Sequence, residues 1–127
     1  MAVPDTRPFF LNLLKIRLPI SAVVSIMHRL SGVAMFVSIP LIIYLFELSL
    51  RDATGFAQVM AWLSHPLLKL ATLLLIAALL HHVFAGIRYL LIDFDIGLEK
   101  SQSRLSAWAV IVLEVAVMLW IVLRMYS

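Results

Sequence analysis

Residues 66–92 read PLLKLATLLLIAALLHHVFAGIRYLLI. The run exceeds the ~20 residues that a helix needs to cross the hydrocarbon core of a bilayer. Outward from it lie two more apolar stretches of spanning length, residues 21–50 and 105–123. The breaks between the three, Arg51-Asp52-Ala53-Thr54-Gly55 and residues 93–104, are polar enough to lie in water. A chain of 127 residues that is 64% hydrophobic and 13% charged cannot hide that much apolar surface in a water-soluble core. Its mean hydropathy of +1.07 agrees. The fold class is therefore all-α integral membrane, with three transmembrane helices in a single domain over residues 1–127.

The opening segment, residues 1–20, contains Pro4 and Pro8, and Pro19 near its end suits the first turn of a helix. Phe9, Phe10, Lys15 and Arg17 suggest that it lies along the membrane interface. A cleaved signal peptide is not expected, because the first apolar stretch is too long and begins too late. Arg7, Lys15, Arg17 and Arg29 precede or begin the first span, and Arg88, Lys100 and Arg104 flank the second connection. Arg51, Lys69 and Arg124 lie toward the other side. By the positive-inside rule the N-terminus and the second connection face the cytoplasm or its organellar equivalent. Trp62, Trp108, Trp120 and Tyr126 fall near span ends, as interfacial anchors do.

The net charge of +3 belongs to span ends, so no nucleic-acid partner is expected. The absence of cysteine excludes c-type haem attachment, a thiolate-held iron–sulfur cluster and a disulfide. Any redox centre is held by histidine or belongs to another chain. The short connections leave no room for a nucleotide-binding or flavin-binding domain.

Ionisable groups at membrane depth are costly, which singles out two clusters. In the second span His82, Gly86, Tyr89 and Asp93 share one helical face, while His81, Ala85, Arg88 and Ile92 form the neighbouring one. An imidazole with a small residue one turn away suits a bundle that brings a flat macrocycle against a helix and ligates its iron. A lone intramembrane histidine also serves as a hydrogen-bonded packing residue, and the adjacent His81 leaves the choice of ligand open. In the first span Ser21, Ser25, His28 and Gly32 share a face, with Arg29 beside it, and such a stripe faces protein rather than lipid. Ser31 and Gly32 read as a back-bonded hydroxyl and a close-packing position. A hydroxyl and a cation near a membrane face, Ser25 and Arg29, suit a quinone carbonyl among other ligands. Arg29 lies roughly 14 Å from Pro19 and His82 roughly 16 Å from Asp93, so in antiparallel spans they reach a similar depth. Glu47 pairs with Arg51 at the outer end. Glu114, in the middle of the third span, stays protonated or pairs across helices.

These pieces, in this order, resemble the cytochrome b membrane-anchor subunit of succinate dehydrogenase, the larger anchor chain of respiratory complex II. The matching stretches are Arg7-Pro8, Ile16-Arg17-Leu18-Pro19-Ile20, Ser25-Ile26-Met27-His28-Arg29-Leu30-Ser31-Gly32, and His82 followed by Gly86-Ile87-Arg88 and Asp93. The resemblance implies a bundle shared with a smaller anchor subunit and a haem b between the two. It also implies docking of an iron–sulfur subunit with its flavoprotein, and electron delivery to ubiquinone or a related quinone. Under it His82 is the axial ligand of the haem iron and His81 is not, the second ligand coming from the smaller subunit. Ser25 and Arg29 line the quinone site, while His28, Arg29 and Arg88 approach the haem edge. No catalysis is expected from this chain alone. The implied location is the bacterial or mitochondrial inner membrane, with the N-terminus on the cytoplasmic or matrix side. Tyr89 departs from the family, which commonly has histidine there; a phenol donates a hydrogen bond but carries no positive charge at neutral pH. The rival reading is a small non-redox transporter subunit that relays protons through Glu114 and the histidines.

Overall fold

The computed structural model describes residues 18–126, all in helices and short connections. The expected interfacial segment and its aromatic and basic residues lie outside the described residues, except for Leu18, Pro19 and Ile20. Helix α1 spans Ile20–Arg51, α2 Ala53–Ser64, α3 Pro66–Asp93 and α4 Lys100–Tyr126. Three of them, α1, α3 and α4, are long and apolar enough to cross a membrane.

Pro19 stands just before α1 in extended conformation, and its carbonyl accepts from Ala22 and Val23 N–H. Pro66 occupies the first turn of α3, where its missing N–H costs nothing, and His65 caps that end through Nδ1 and the Leu67 N–H at 3.4 Å. After α3 the chain reverses through left-handed Asp95 (φ 60°) and Gly97 (φ 83°). Helix α4 begins earlier than residue 105, at Lys100, because hydropathy marks only the part of a helix in the hydrocarbon. Polar residues 100–104 continue the same helix toward water, and the Glu99 carbonyl accepts from Ser103 N–H at 2.8 Å.

The first connection is not only a polar break. Asp52 Oδ1 accepts from Gly55 N–H at 2.7 Å and starts α2, a helix of 12 residues too short to span. It folds back on α1, and Gly55 is required there, since a Cβ would collide with the Leu48 carbonyl oxygen.

The interhelical core is small: Val24, Ala85, Ala107 and Val110 are buried, with Ile20, Phe84, Tyr89 and Ile111 around them. Ala85 and Ala107 let the backbones approach, as spanning helices require. This core sits in the half of the bundle holding the N-terminal ends of α1 and α4 and the C-terminal end of α3. Large apolar side chains such as Phe36, Leu74 and Leu105 point outward. Exposed Trp108 and Trp120 suit interfacial anchoring, and Arg124 lies 5.9 Å over the Trp120 ring. The side chain of Tyr126 lies outside the described residues. Glu47 and Arg51 form the expected exposed pair, at 3.1 Å.

Candidate functional site

Antiparallel α1 and α3 each offer the other a histidine and a glycine one turn apart. The rings of His28 and His82 stack with centroids 4.1 Å apart and planes 13° apart. Each ring lies over the opposite glycine: a Cβ at Gly32 would stand 3.2 Å from His82 Cε1, and one at Gly86 would stand 3.5 Å from His28 Nε2. Gly86 makes room for the His28 ring.

The hydrogen bonds around His82 decide its tautomer. Ser31 Oγ donates to the His28 carbonyl at 2.8 Å, so its proton is spent. His82 Nδ1 lies 3.2 Å from Ser31 Oγ and 3.2 Å from the same carbonyl oxygen, both of which can then only accept. The proton therefore sits on Nδ1, and the lone pair is on Nε2, which has no hydrogen bond among the described residues. An imidazole whose Nδ1–H is held by a carbonyl presents Nε2 as a metal ligand in a fixed orientation.

His81 is the opposite case. It is buried, its Nε2 donates to the Val24 carbonyl at 3.3 Å, and its Nδ1 shares a proton with Glu114 Oε2 at 2.7 Å. Both nitrogens are occupied, so of the two adjacent histidines only His82 has one to spare. Glu114 pairs across helices. Among the described residues no three histidine, aspartate or glutamate side chains gather as a metal-ion site. A macrocycle that brings four ligands of its own asks for less than that.

Ser25 is half-buried and Arg29 exposed, on the flank of α1 next to His28. In α1 the hydroxyls of Ser31, Ser38 and Ser49 bond to the carbonyl three residues back. Ser21 and Ser25 make no such bond, and the Arg29 guanidinium has no partner among the described residues. Ser25, His28 and Arg29 thus stand together at one edge of the bundle. Arg88 does not join them. It is buried on the face shared with His81, where Nε donates to Ser106 Oγ at 2.9 Å and Nη2 to Ser103 Oγ at 2.9 Å and the Ser103 carbonyl at 3.1 Å. Those bonds tie α3 to α4. Tyr89 lies between the two groups, its ring 5.3 Å from that of His28 and 5.3 Å from the Arg88 guanidinium carbon. Its buried hydroxyl has no hydrogen-bond partner among the described residues.

Residues 4–122 match the family described as succinate dehydrogenase/fumarate reductase transmembrane subunit. The chain belongs to this family. It is similar to the succinate dehydrogenase cytochrome b556 subunit of Coxiella burnetii, at 37% identity over 84% of this chain and 86% of that one. The subunit of the same description from Paracoccus denitrificans is 34% identical over 83% of this chain and 81% of its own length. A succinate dehydrogenase hydrophobic membrane anchor subunit of Archaeoglobus fulgidus is 28% identical over 61% and 67%. The chain is thus a membrane-anchor cytochrome b subunit of succinate dehydrogenase, integral to the membrane and part of an oxidoreductase complex.

Two contributors to this anchor's site escaped the sequence. Ser31 read as back-bonded, which it is, but it also faces His82; only the register of α1 against α3 reveals that. Tyr89 read as a hydrogen-bond donor without charge, but its place beside His28, with no partner for the hydroxyl among the described residues, needed the structure. Its place on the His82 and Gly86 face was the available signal.

Proposed function

We propose that this anchor binds haem b through His82 Nε2 and forms part of the site where succinate:quinone oxidoreductase reduces ubiquinone or a related quinone. The observation that carries the reading is the hydrogen-bonding of His82, which leaves one lone pair free on a fixed ring. A single open imidazole suits a haem held between two chains, with a smaller anchor subunit supplying the second ligand. His28, Arg29 and Tyr89 supply polar groups for the haem's acidic edge. Arg88 adds positive charge behind the Tyr89 ring while its hydrogen bonds hold α4. Bound there, haem b supplies a one-electron store beside the quinone site.

Quinone reduction adds two electrons and two protons to the ring's carbonyl oxygens. Negative charge develops on an oxygen as electrons arrive from the iron–sulfur subunit, itself fed by the flavoprotein. The Arg29 guanidinium is a charge-assisted donor for that oxygen, and the Ser25 hydroxyl a second donor. Their lack of partners among the described residues supports this role. The basic residues near the start of α1 and around the second connection support an N-terminus on the cytoplasmic or matrix side of an inner membrane.

The test is a dithionite-reduced minus oxidised absorbance spectrum of the assembled complex, wild type against His82→Ala. A b-type band that disappears in assembled His82→Ala is the expected result. Retention of the band would move the ligand elsewhere, and an intact wild-type complex without one would remove the haem from the reading.

A further inference from the structure

Glu114 lies about 21 Å along α4 from its start at Lys100, deep enough that a carboxyl group needs compensation. Its partner His81 bonds to both of the other spanning helices, to α4 through Glu114 and to α1 through the Val24 carbonyl. Val24, which supplies that carbonyl, is a fully buried member of the core. His81 and His82 are consecutive, about 100° apart around α3. Any rotation that releases His81 therefore swings His82. A rotation of ~10° moves groups at the ~5–6 Å outer radius of a helix by ~1 Å. The His82 Nδ1 contacts, both 3.2 Å, do not survive a displacement of that size in the wrong direction.

We infer that His81 and Glu114 form a positioning pair, which locks the rotation of α3 against α1 and α4 and so sets the direction of His82 Nε2. The inference rests on the haem-binding reading above. The pair touches no haem atom; it acts through His82. The hydrogen bond itself does the positioning, so a neutral partner of the same shape serves equally well.

The experiment compares Glu114→Gln, Glu114→Leu and the double variant His81→Phe/Glu114→Leu in the complete complex. Three quantities are read: thermal dissociation, haem per complex, and the haem's optical and paramagnetic-resonance spectra. Glutamine keeps a hydrogen bond to His81 and leaves all three as in the wild type. Leucine leaves a buried imidazole nitrogen unpaired, shifts and broadens the haem spectra, and lowers haem retention by roughly tenfold. The double variant buries no unpaired polar group and regains thermal stability, yet its haem spectra stay displaced because the lock is gone. Where Glu114→Leu alone does not assemble, the double variant's spectra decide. Wild-type spectra in the double variant would overturn the inference, since the pair would then only compensate its own burial. So would an assembled Glu114→Leu with unchanged haem. A wild-type complex that lacks a b-type band would overturn the haem-binding reading with it, so the two failures are told apart by the wild type alone.

Discussion

Alanine at Gly32 is the smallest substitution that reaches the proposed ligand. Its Cβ would stand 3.2 Å from His82 Cε1, closer than the ~3.5–4.0 Å that carbon atoms in contact prefer, and in ordinary contact with Nδ1 at 3.5 Å. Relief requires the ring to withdraw by ~0.3–0.5 Å, and two constraints oppose it. The stacked His28 ring blocks one direction at a centroid distance of 4.1 Å. Away from Gly32, the bonds from Nδ1 to Ser31 Oγ and the His28 carbonyl, both already 3.2 Å, stretch past useful length. Overpacking a tight site costs ~1–3 kcal/mol, and one close contact with two weakened bonds belongs near ~1.5 kcal/mol, about a tenfold loss of haem retention. At Gly86 the added Cβ meets His28 Nε2 at 3.5 Å, an ordinary contact, so Gly86→Ala retains haem nearly as the wild type does. The assay is haem per assembled complex by pyridine haemochrome, followed through a temperature ramp. Wild-type retention in Gly32→Ala, or a greater loss in Gly86→Ala, would refute the assignment of Gly32 as the seat of the His82 ring.

Two further outcomes are expected. Arg29→Ala and Ser25→Ala lower succinate:quinone reductase activity, by roughly a hundredfold and tenfold respectively, since a charged donor is worth more than a neutral one. Succinate oxidation by an artificial acceptor persists in both; equal loss of the two activities would mean failed assembly instead. Tyr89→Phe removes a buried hydroxyl that has no partner among the described residues, so the complex keeps its thermal stability. If the phenol donates to a haem carboxylate, its removal leaves that negative charge less compensated and favours ferric iron. The haem midpoint potential then falls by roughly 20–60 mV, a factor of two to ten in a one-electron equilibrium; an unchanged potential would show the hydroxyl idle.

The three spans were legible because hydropathy over ~20 residues is a property of composition, and composition survives without knowing any contact. The shared depth of the His82 and Arg29 region was legible too. A rise of 1.5 Å per residue and antiparallel spans require nothing more, and His28 indeed stacks on His82. Helix α2 was not, because a 12-residue helix has no spanning signature and its packing depends on Gly55 meeting the Leu48 backbone, a contact between segments. The early start of α4 was hidden for a related reason: residues 100–104 are helical by hydrogen bonding and polar by composition, and only the second is visible in a hydropathy pattern.

Side-chain roles divide along the same line. Periodicity put His81 with Arg88 and His82 with Tyr89, and the structure keeps those faces apart. Which face meets which helix is set by the rotation of α3, and rotation leaves no trace in spacing. That both His81 nitrogens are occupied could be known only from the Val24 carbonyl on one side and the Glu114 carboxyl on the other, residues 57 and 33 positions away in sequence. The same two contacts that occupy His81 are the ones proposed to hold its neighbour in place. An imidazole saturated on both nitrogens cannot bind iron, but it is the best available fastener between three helices, since each nitrogen fixes one direction. In the proposed arrangement consecutive histidines separate ligation from fastening by ~100° of rotation, and His81, the fastener, is the more deeply buried of the two.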